Sequence, residues 1–341
     1  MTTPERWARI TGIFGQALEL EGPERDEFVE RTCADDLELL HEIQRLLRTH
    51  AQQDVFLDHP PVPPGILEEA SSARTFRSGQ LVSGRFRIIQ FLGEGGMGEV
   101  YATMDEELRT SVALKTTHAH LAGTPKFAER LRQEIQLARR VTHPNVCRVF
   151  DAGRHEATPY FTMELLNGET LSRRIERTGA MPLEDVLPIV RQMCAGLSAA
   201  HEAGILHRDF KTANVMFSDA RAVITDFGLA RVVEREDTPA TTTAIGIGTP
   251  AYMAPEQFEG SSVTPAVDIY ALGVVMYELV TGRRPFEDHS PLAIALKKLK
   301  QAPSPRQFSP ELPAFWEAVI LKCLEANPAD RFASASIMIL K

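Results

Sequence analysis

Along the first fifty positions, apolar residues recur every three or four places. Trp7, Ile10, Phe14 and Leu18 make one stripe, Phe28 and Val29 fall in a second run, and Leu37, Leu40, Ile43 and Leu47 make a third. That period predicts three short amphipathic helices. The start signals agree: Thr3 caps with Pro4 in the first turn, Pro23 opens the second helix, and Asp35 or Asp36 opens the third. The stripes read as core, so residues 1–50 are expected to form a small helical bundle with no chemistry of its own. Residues 51–78 lose the period. His59-Pro60-Pro61-Val62-Pro63-Pro64-Gly65 and Ser71-Ser72 predict an extended, semi-stiff linker.

From Phe86 the pattern becomes that of strands. Phe86 to Leu92, Val112 to Lys115, Val146 to Phe150 and Pro159 to Leu165 are apolar, β-rich runs. One helix interrupts them: Thr124 caps, Pro125 starts, and Phe127, Leu131, Ile135 and Ala138 form its inner stripe. After Asn167-Gly168 helices dominate, near Leu171–Arg177, Leu183–Ala203, Ala266–Thr281 and Pro313–Glu325. A single hairpin stands among them, Val215 to Phe217 and Ala222 to Thr225, turning at Ser218-Asp219. The switch predicts an α+β protein of two lobes, joined near Glu164–Gly168. The smaller, β-rich lobe takes residues 79–166 and the larger, helical lobe takes 167–341. Residues 229–247 have no period and are rich in Thr, which predicts a functional loop.

Charge changes this picture only at the front. The chain has 341 residues and a net charge of −9, and residues 1–75 carry 15 acidic against 7 basic side chains. That segment is a poor match for nucleic acid. Cys33, Cys147, Cys194 and Cys323 have neither metal-ligand nor redox spacing, so reduced thiols in a cytoplasmic setting are expected. No secretory leader is evident. No membrane span is expected either, because the best apolar run, Ala271 to Val280, is short and interrupted by Glu278.

The chemistry concentrates in His207-Arg208-Asp209-Phe210-Lys211-Thr212-Ala213-Asn214, a polar stretch between two apolar runs. Buried charges need partners, and here a carboxylate, an amine and an amide lie within six residues. The plain alternative is a hydrated loop. Three other features bear on it. Gly93, Gly95 and Gly98 fit G-x-G-x-x-G-x-V, a turn that lets backbone N–H groups approach phosphate. Dinucleotide folds share that spacing, but Val100 and Tyr101 read as a returning strand and no βαβ pattern follows. Lys115 ends a strand, and Glu134 sits at the edge of a buried helix face, where it wants a cation. Asp226 follows an apolar strand, and the predicted hairpin returns it beside His207–Asn214.

Taken together and in this order, the glycine turn at 93–100, Val112 to Lys115, His207 to Asn214, Asp226 to Gly228 and Ala254 to Glu256 resemble the motif set of a protein kinase catalytic domain. From about Phe86 to Lys341 the chain is most similar to bacterial Ser/Thr kinases. The resemblance implies a bilobal kinase fold behind the helical bundle, ATP and Mg²⁺ as cofactors, and transfer of the γ-phosphoryl group to Ser or Thr hydroxyls of proteins. It implies that Asp209 accepts the hydroxyl proton, that Lys211 neutralises the transferred group, and that Lys115 contacts phosphates while pairing with Glu134. Asn214 and Asp226 would hold Mg²⁺. Leu92, Gly93, Gly95, Gly98, Val100 and Ala113 would cover the nucleotide from the small lobe. Met163 would back the adenine, with Glu164 to Leu166 offering backbone groups, Glu169 near the ribose and Met216 beneath the base. Gly248 to Glu256 would shape a peptide-binding surface. Arg208 beside the catalytic acid implies control by autophosphorylation at Thr241, Thr242 or Thr243. Asp268 would brace the catalytic loop and Glu256 would pair with Arg331. Thr212, where Pro is common, would loosen the loop. Ala213 stands where some kinases carry an acid that reads basic substrates. A pseudokinase scaffold and a small-molecule kinase are the competing readings. The physiological substrate and homodimer formation are left open.

Overall fold

The structure, a computed structural model, describes residues 4–18, 20, 22–34, 36, 39–41, 43–44, 47, 74–95, 98–117, 125–218, 220–227, 250–258, 263–288 and 291–339. Most of the expected linker, the Thr-rich loop with Thr241 to Thr243, Gly228 and Lys341 lie outside them.

The β-rich runs pair into one antiparallel six-stranded sheet: β1 (Leu81–Val82), β2 (Phe86–Gly95), β3 (Gly98–Asp105), β4 (Thr110–Thr116), β5 (Val149–His155) and β6 (Thr158–Glu164), in the order β1-β2-β3-β4-β6-β5. Alternation sends Phe86, Ile88, Tyr101, Val112 and Leu114 to one core, closed by Phe76 and Tyr160. The opposite face receives the helix that follows residue 124, which runs Pro125–Ala138. Its Leu131 and Ile135 pack on Phe161.

The second lobe is built around a helix at Ala266–Thr281 that is apolar on nearly every side. Thirteen of its sixteen residues are buried, the mark of a central rather than a surface helix. It ends on Gly282, whose φ of +72° and N–H to Glu278 O form the C-cap. Helices at Leu171–Thr178, Leu183–Glu202 and Ala314–Cys323 surround the same core. Glu256 and Arg331 close its base, with Arg331 Nη1 on Glu256 Oε1 at 2.6 Å and Nη2 on Oε2 at 2.8 Å. Between the lobes, Asn145 ties the smaller lobe to the larger: its Nδ2 donates to Gln192 Oε1 and Ala222 O, both at 2.8 Å.

The helices expected at the front of the chain form, and they pack against the second lobe. Helix α1 (Pro4–Leu18) and helix α2 (Gly22–Thr32) form as the pattern predicts. Arg25 Nε donates to Ala17 O and Leu20 O and so caps the end of α1. A third helical stretch begins where Asp36 Oδ1 accepts from Leu39 N. Leu39 and Ile43 are its fully buried residues, with Leu40 and Leu47 beside them; Leu37, expected on that face, lies outside the described residues. The core of these helices is shared with the second lobe, because Phe258 and Ala295 belong to it. All four cysteines are free and buried, in keeping with reduced thiols. Among the described residues, no helix is long and apolar enough to cross a membrane.

Candidate active site

The polar stretch His207–Asn214 leaves the helix Leu183–Glu202 through Gly204, at φ +75°. What fixes it is Asp268, in the first turn of the central helix and 1% exposed. Its Oδ2 accepts from His207 N and its Oδ1 from Arg208 N, each at 2.8 Å, and Oδ2 is 2.8 Å from His201 Nε2. Burial alone would raise this carboxyl, but the His201 contact and the amide donors hold it below the usual carboxylate range. A depressed carboxyl stabilises the fold above its unfolded pKa of about 3.9, and the contribution is lost as pH falls through the lower folded value. Asp268→Asn is therefore expected to flatten the acid limb of the stability curve. Urea titrations between about pH 5 and 2 read this; parallel limbs for both proteins would refute it.

Arg208 (φ +66°) and Asp226 (φ +61°) both occupy the left-handed region. Such backbone costs on the order of 1–3 kcal/mol per residue and persists where the surroundings enforce it, commonly at functional sites. For Arg208 the enforcers are Asp268 and Gln257, whose Nε2 donates to Arg208 O at 3.2 Å. For Asp226 they are the predicted hairpin, β7 (Val215–Ser218) with β8 (Arg221–Ile224), and its ties to the loop. Thr225 N donates to Asn214 O at 2.8 Å, and His207 Nε2 meets Thr225 O at 2.9 Å.

The hairpin thus brings Asp226 beside the polar stretch. Lys211 Nζ is 2.8 Å from Asp209 Oδ2. Asn214 Nδ2 donates to Asp209 O at 2.8 Å and Oδ2 at 3.3 Å. Lys115 reaches in from β4 and places Nζ 2.5 Å from Asp226 Oδ1. Burial would raise the Asp226 carboxyl, but Lys115, with lesser help from His207 and Lys211, holds it below the usual range. Two cations, two carboxylates and an amide share one cleft. That set can bind a polyanion, hold a hard cation through oxygen, and accept a proton.

The other predicted residues take their places by register. Val100 sits opposite Gly93 on one side and Lys115 on the other, and Ala113 sits opposite Met163. Gly95 pairs with Gly98 across the turn. Gly98 has a second reason to be glycine: at φ +155°, a Cβ there would lie 2.0 Å from Thr116 O. Leu92 is exposed, and Met163, Leu166 and Met216 are half-buried. Glu164 N donates to Arg148 O, so its carbonyl is what remains for a base. Glu169 is paired with Arg177 at 2.6 Å, so any ribose contact competes with that ion pair.

Two expectations change. Among the contacts of the described residues there is no Lys115–Glu134 ion pair; Asp226 is the carboxylate on Lys115. Glu134 stands half-buried at the edge of its helix, whose inner face is spent on Leu131, Ile135 and Ala138. Thr212 ties the loop down instead of loosening it. It is buried, with Oγ1 2.9 Å from Tyr252 OH and 3.2 Å from Glu278 Oε2, and Tyr252 OH also donates to Glu278. The sequence signal was Glu278 itself, the one charge in an otherwise apolar run. Lys298, discussed below, had no such signal, because it sits with Lys297 and Lys300 in what reads as a solvated helix end.

Similarity to known proteins agrees with the geometry. A family model described as "Protein kinase domain" matches residues 86–340. The chain is 39% identical over 264 residues to the serine/threonine-protein kinase PknA of Mycobacterium tuberculosis, covering 76% of this chain and 60% of that protein. It is 39% identical over 263 residues to PknB of Mycobacterium leprae, covering 75% of this chain and 42% of that one. The chain thus spans about half the length of these relatives. The crystal structure of the M. tuberculosis PknI kinase domain superposes with a TM-score of 0.64 at 29% identity, covering 78% of this chain and 96% of that domain. On these grounds the chain belongs to the protein kinase family and carries a catalytic domain of the bacterial Ser/Thr type.

Proposed function

We propose that the protein transfers the γ-phosphoryl group of ATP to Ser and Thr hydroxyls of proteins. The observation that carries this reading is the meeting of Asp209, Lys211 and Asn214 with Asp226 and Lys115, from three separate segments of the chain, in one cleft. Phosphoryl transfer needs positioning and charge neutralisation more than covalent chemistry, and this is what the set offers. Asp209 orients the substrate hydroxyl and takes its proton. Lys211, already on Asp209, neutralises charge on the group in flight. Lys115 holds the phosphates that remain.

The donor set also fits Mg²⁺. Asn214 and Asp226 supply hard oxygen ligands, and among the described residues there is no cluster of three or more His, Cys, Asp or Glu to cage a metal. Mg²⁺ usually takes one or two protein oxygens and completes its shell with phosphate and water. When bound, the ion supplies counter-charge to the phosphates.

Incubation with labelled ATP and Mg²⁺ tests the reading. Label on Ser or Thr of protein is expected from the native chain. Nucleotide binding without transfer would make it a scaffold, and label only on an added small molecule would make it a metabolite kinase.

Regulation by autophosphorylation is part of the proposal. Thr241, Thr242 and Thr243 supply the hydroxyls, and Arg208, held at left-handed φ beside the catalytic acid, supplies the cation for a phosphothreonine. Replacing the three threonines by Ala is expected to lower activity toward added protein. Unchanged activity in the triple variant would sink the regulatory part alone.

A further inference from the structure

A lysine fully buried without a carboxylate is rare, because burial penalises the ammonium. Lys298 is such a residue: it is 0% exposed, and among the described residues no carboxylate contacts it. Burial, with Arg284 and Arg331 in support, pushes its pKa well below the ordinary lysine value. Its partners are three carbonyl oxygens of one short segment, Pro250 O at 2.9 Å, Ala251 O at 2.8 Å and Met253 O at 2.5 Å. An ammonium has three protons and a neutral amine two, so only the charged form satisfies all three carbonyls. The rings of Tyr270 and Phe258 lie 5.2 and 5.9 Å from Nζ, which favours that form.

The segment gripped is the one that runs into Ala254 to Glu256. It stands just past the catalytic loop, to which Tyr252 is tied through Thr212. Lys298 itself ends a helix, Pro291–Lys298, that faces two cores. Ile294 packs in the core of the second lobe, whereas Ala295 belongs to the core of the N-terminal helices. Leu296 packs against those helices too, and a Cβ built on Gly15 of α1 would lie 3.4 Å from Leu296 Cδ1. Met253, within the gripped segment, packs on the same cluster.

We propose that Lys298 is a positioning residue for protein substrates, and that the N-terminal helices, by bracing the helix that carries it, hold segment 250–253 in its substrate-receiving shape. This rests on the protein kinase activity proposed above and adds to it a role for residues 1–50. The helices contribute no group to the chemistry. They set the surface on which the peptide around the target hydroxyl lies, and leave the nucleotide side to Lys115 and Asp226.

Steady-state kinetics of the full chain with a randomised library of Ser- and Thr-containing peptides test this. Lys298→Met keeps the stem and removes the three donors. Gly15→Leu places a side chain against Leu296, far from the reacting groups. Both are expected to raise the peptide KM, by about tenfold or more for Lys298→Met, while the ATP KM stays at the native value. A purely structural role would lower the melting temperature and weaken peptide and ATP alike. If Lys298→Met does not fold, Gly15→Leu decides. An unchanged peptide KM in either folded variant overturns the proposal, as does a fall in Gly15→Leu, which would mean that the helices obstruct the surface. Failure of the native chain to label any peptide would overturn the kinase activity itself, a result distinct from these.

Discussion

Asp209→Asn is expected to reduce phosphoryl transfer by about 10²–10⁴-fold, the usual contribution of a positioned general base, while nucleotide binding persists. The amide keeps the shape of the carboxylate, and it can still meet Lys211 and Asn214, which hold the Asp209 side chain at 2.8 and 3.3 Å. What is lost is the capacity to accept the hydroxyl proton. The Lys115–Asp226 ion pair is separate from these contacts. Single-turnover transfer and equilibrium nucleotide titration, done on the same preparation, separate the two effects. Transfer at the native rate would remove Asp209 from the mechanism. A parallel loss of nucleotide affinity would show that the variant had disturbed the cleft rather than the proton.

The second large effect is on stability. Arg331 is wholly buried and donates five hydrogen bonds: two to Glu256, and one each to Ala266 O, Glu325 O and Ala326 O. Arg331→Ala leaves the Glu256 carboxylate uncompensated in the core, a defect that typically costs about 3–5 kcal/mol. In a domain of this size each kcal/mol moves Tm by roughly 2–4 °C, so a drop on the order of 10 °C is expected. Lysine is no substitute, because a point charge cannot reproduce the two-pronged bond to the carboxylate. The double variant Arg331→Met with Glu256→Met removes the stranded charge and should recover part of the loss. Recovery stays incomplete, because Ala266, Glu325 and Ala326 lose a donor in both. Calorimetry on the two variants checks this; equal Tm for both would mean that the carbonyls, not the ion pair, carry the effect.

Much of the second lobe and the site was legible because its chemistry is local. Asp209, Lys211 and Asn214 lie within six residues, and the hairpin that returns Asp226 is short, so spacing alone brought them together. The helix at Ala266–Thr281 was legible through its unbroken apolar character. Contacts set by tertiary packing were not. Nothing in the sequence near Lys115 says that Asp226, rather than Glu134, occupies its ammonium. Thr212 reads as a replaced proline until Tyr252 and Glu278 are seen beside it. The N-terminal stripe announced a buried face, yet a period of 3.6 cannot name what covers it, and Ala295 lies some 280 residues away.

That distance has a consequence for how the chain is made. Ile10, Ile13, Phe14 and Ala17 leave the ribosome some 280 residues ahead of the helix bearing Ala295 and Leu296. At roughly 5–20 residues per second, the apolar face of α1 waits on the order of 15–60 s for its seat. During that interval it is a natural client for a chaperone.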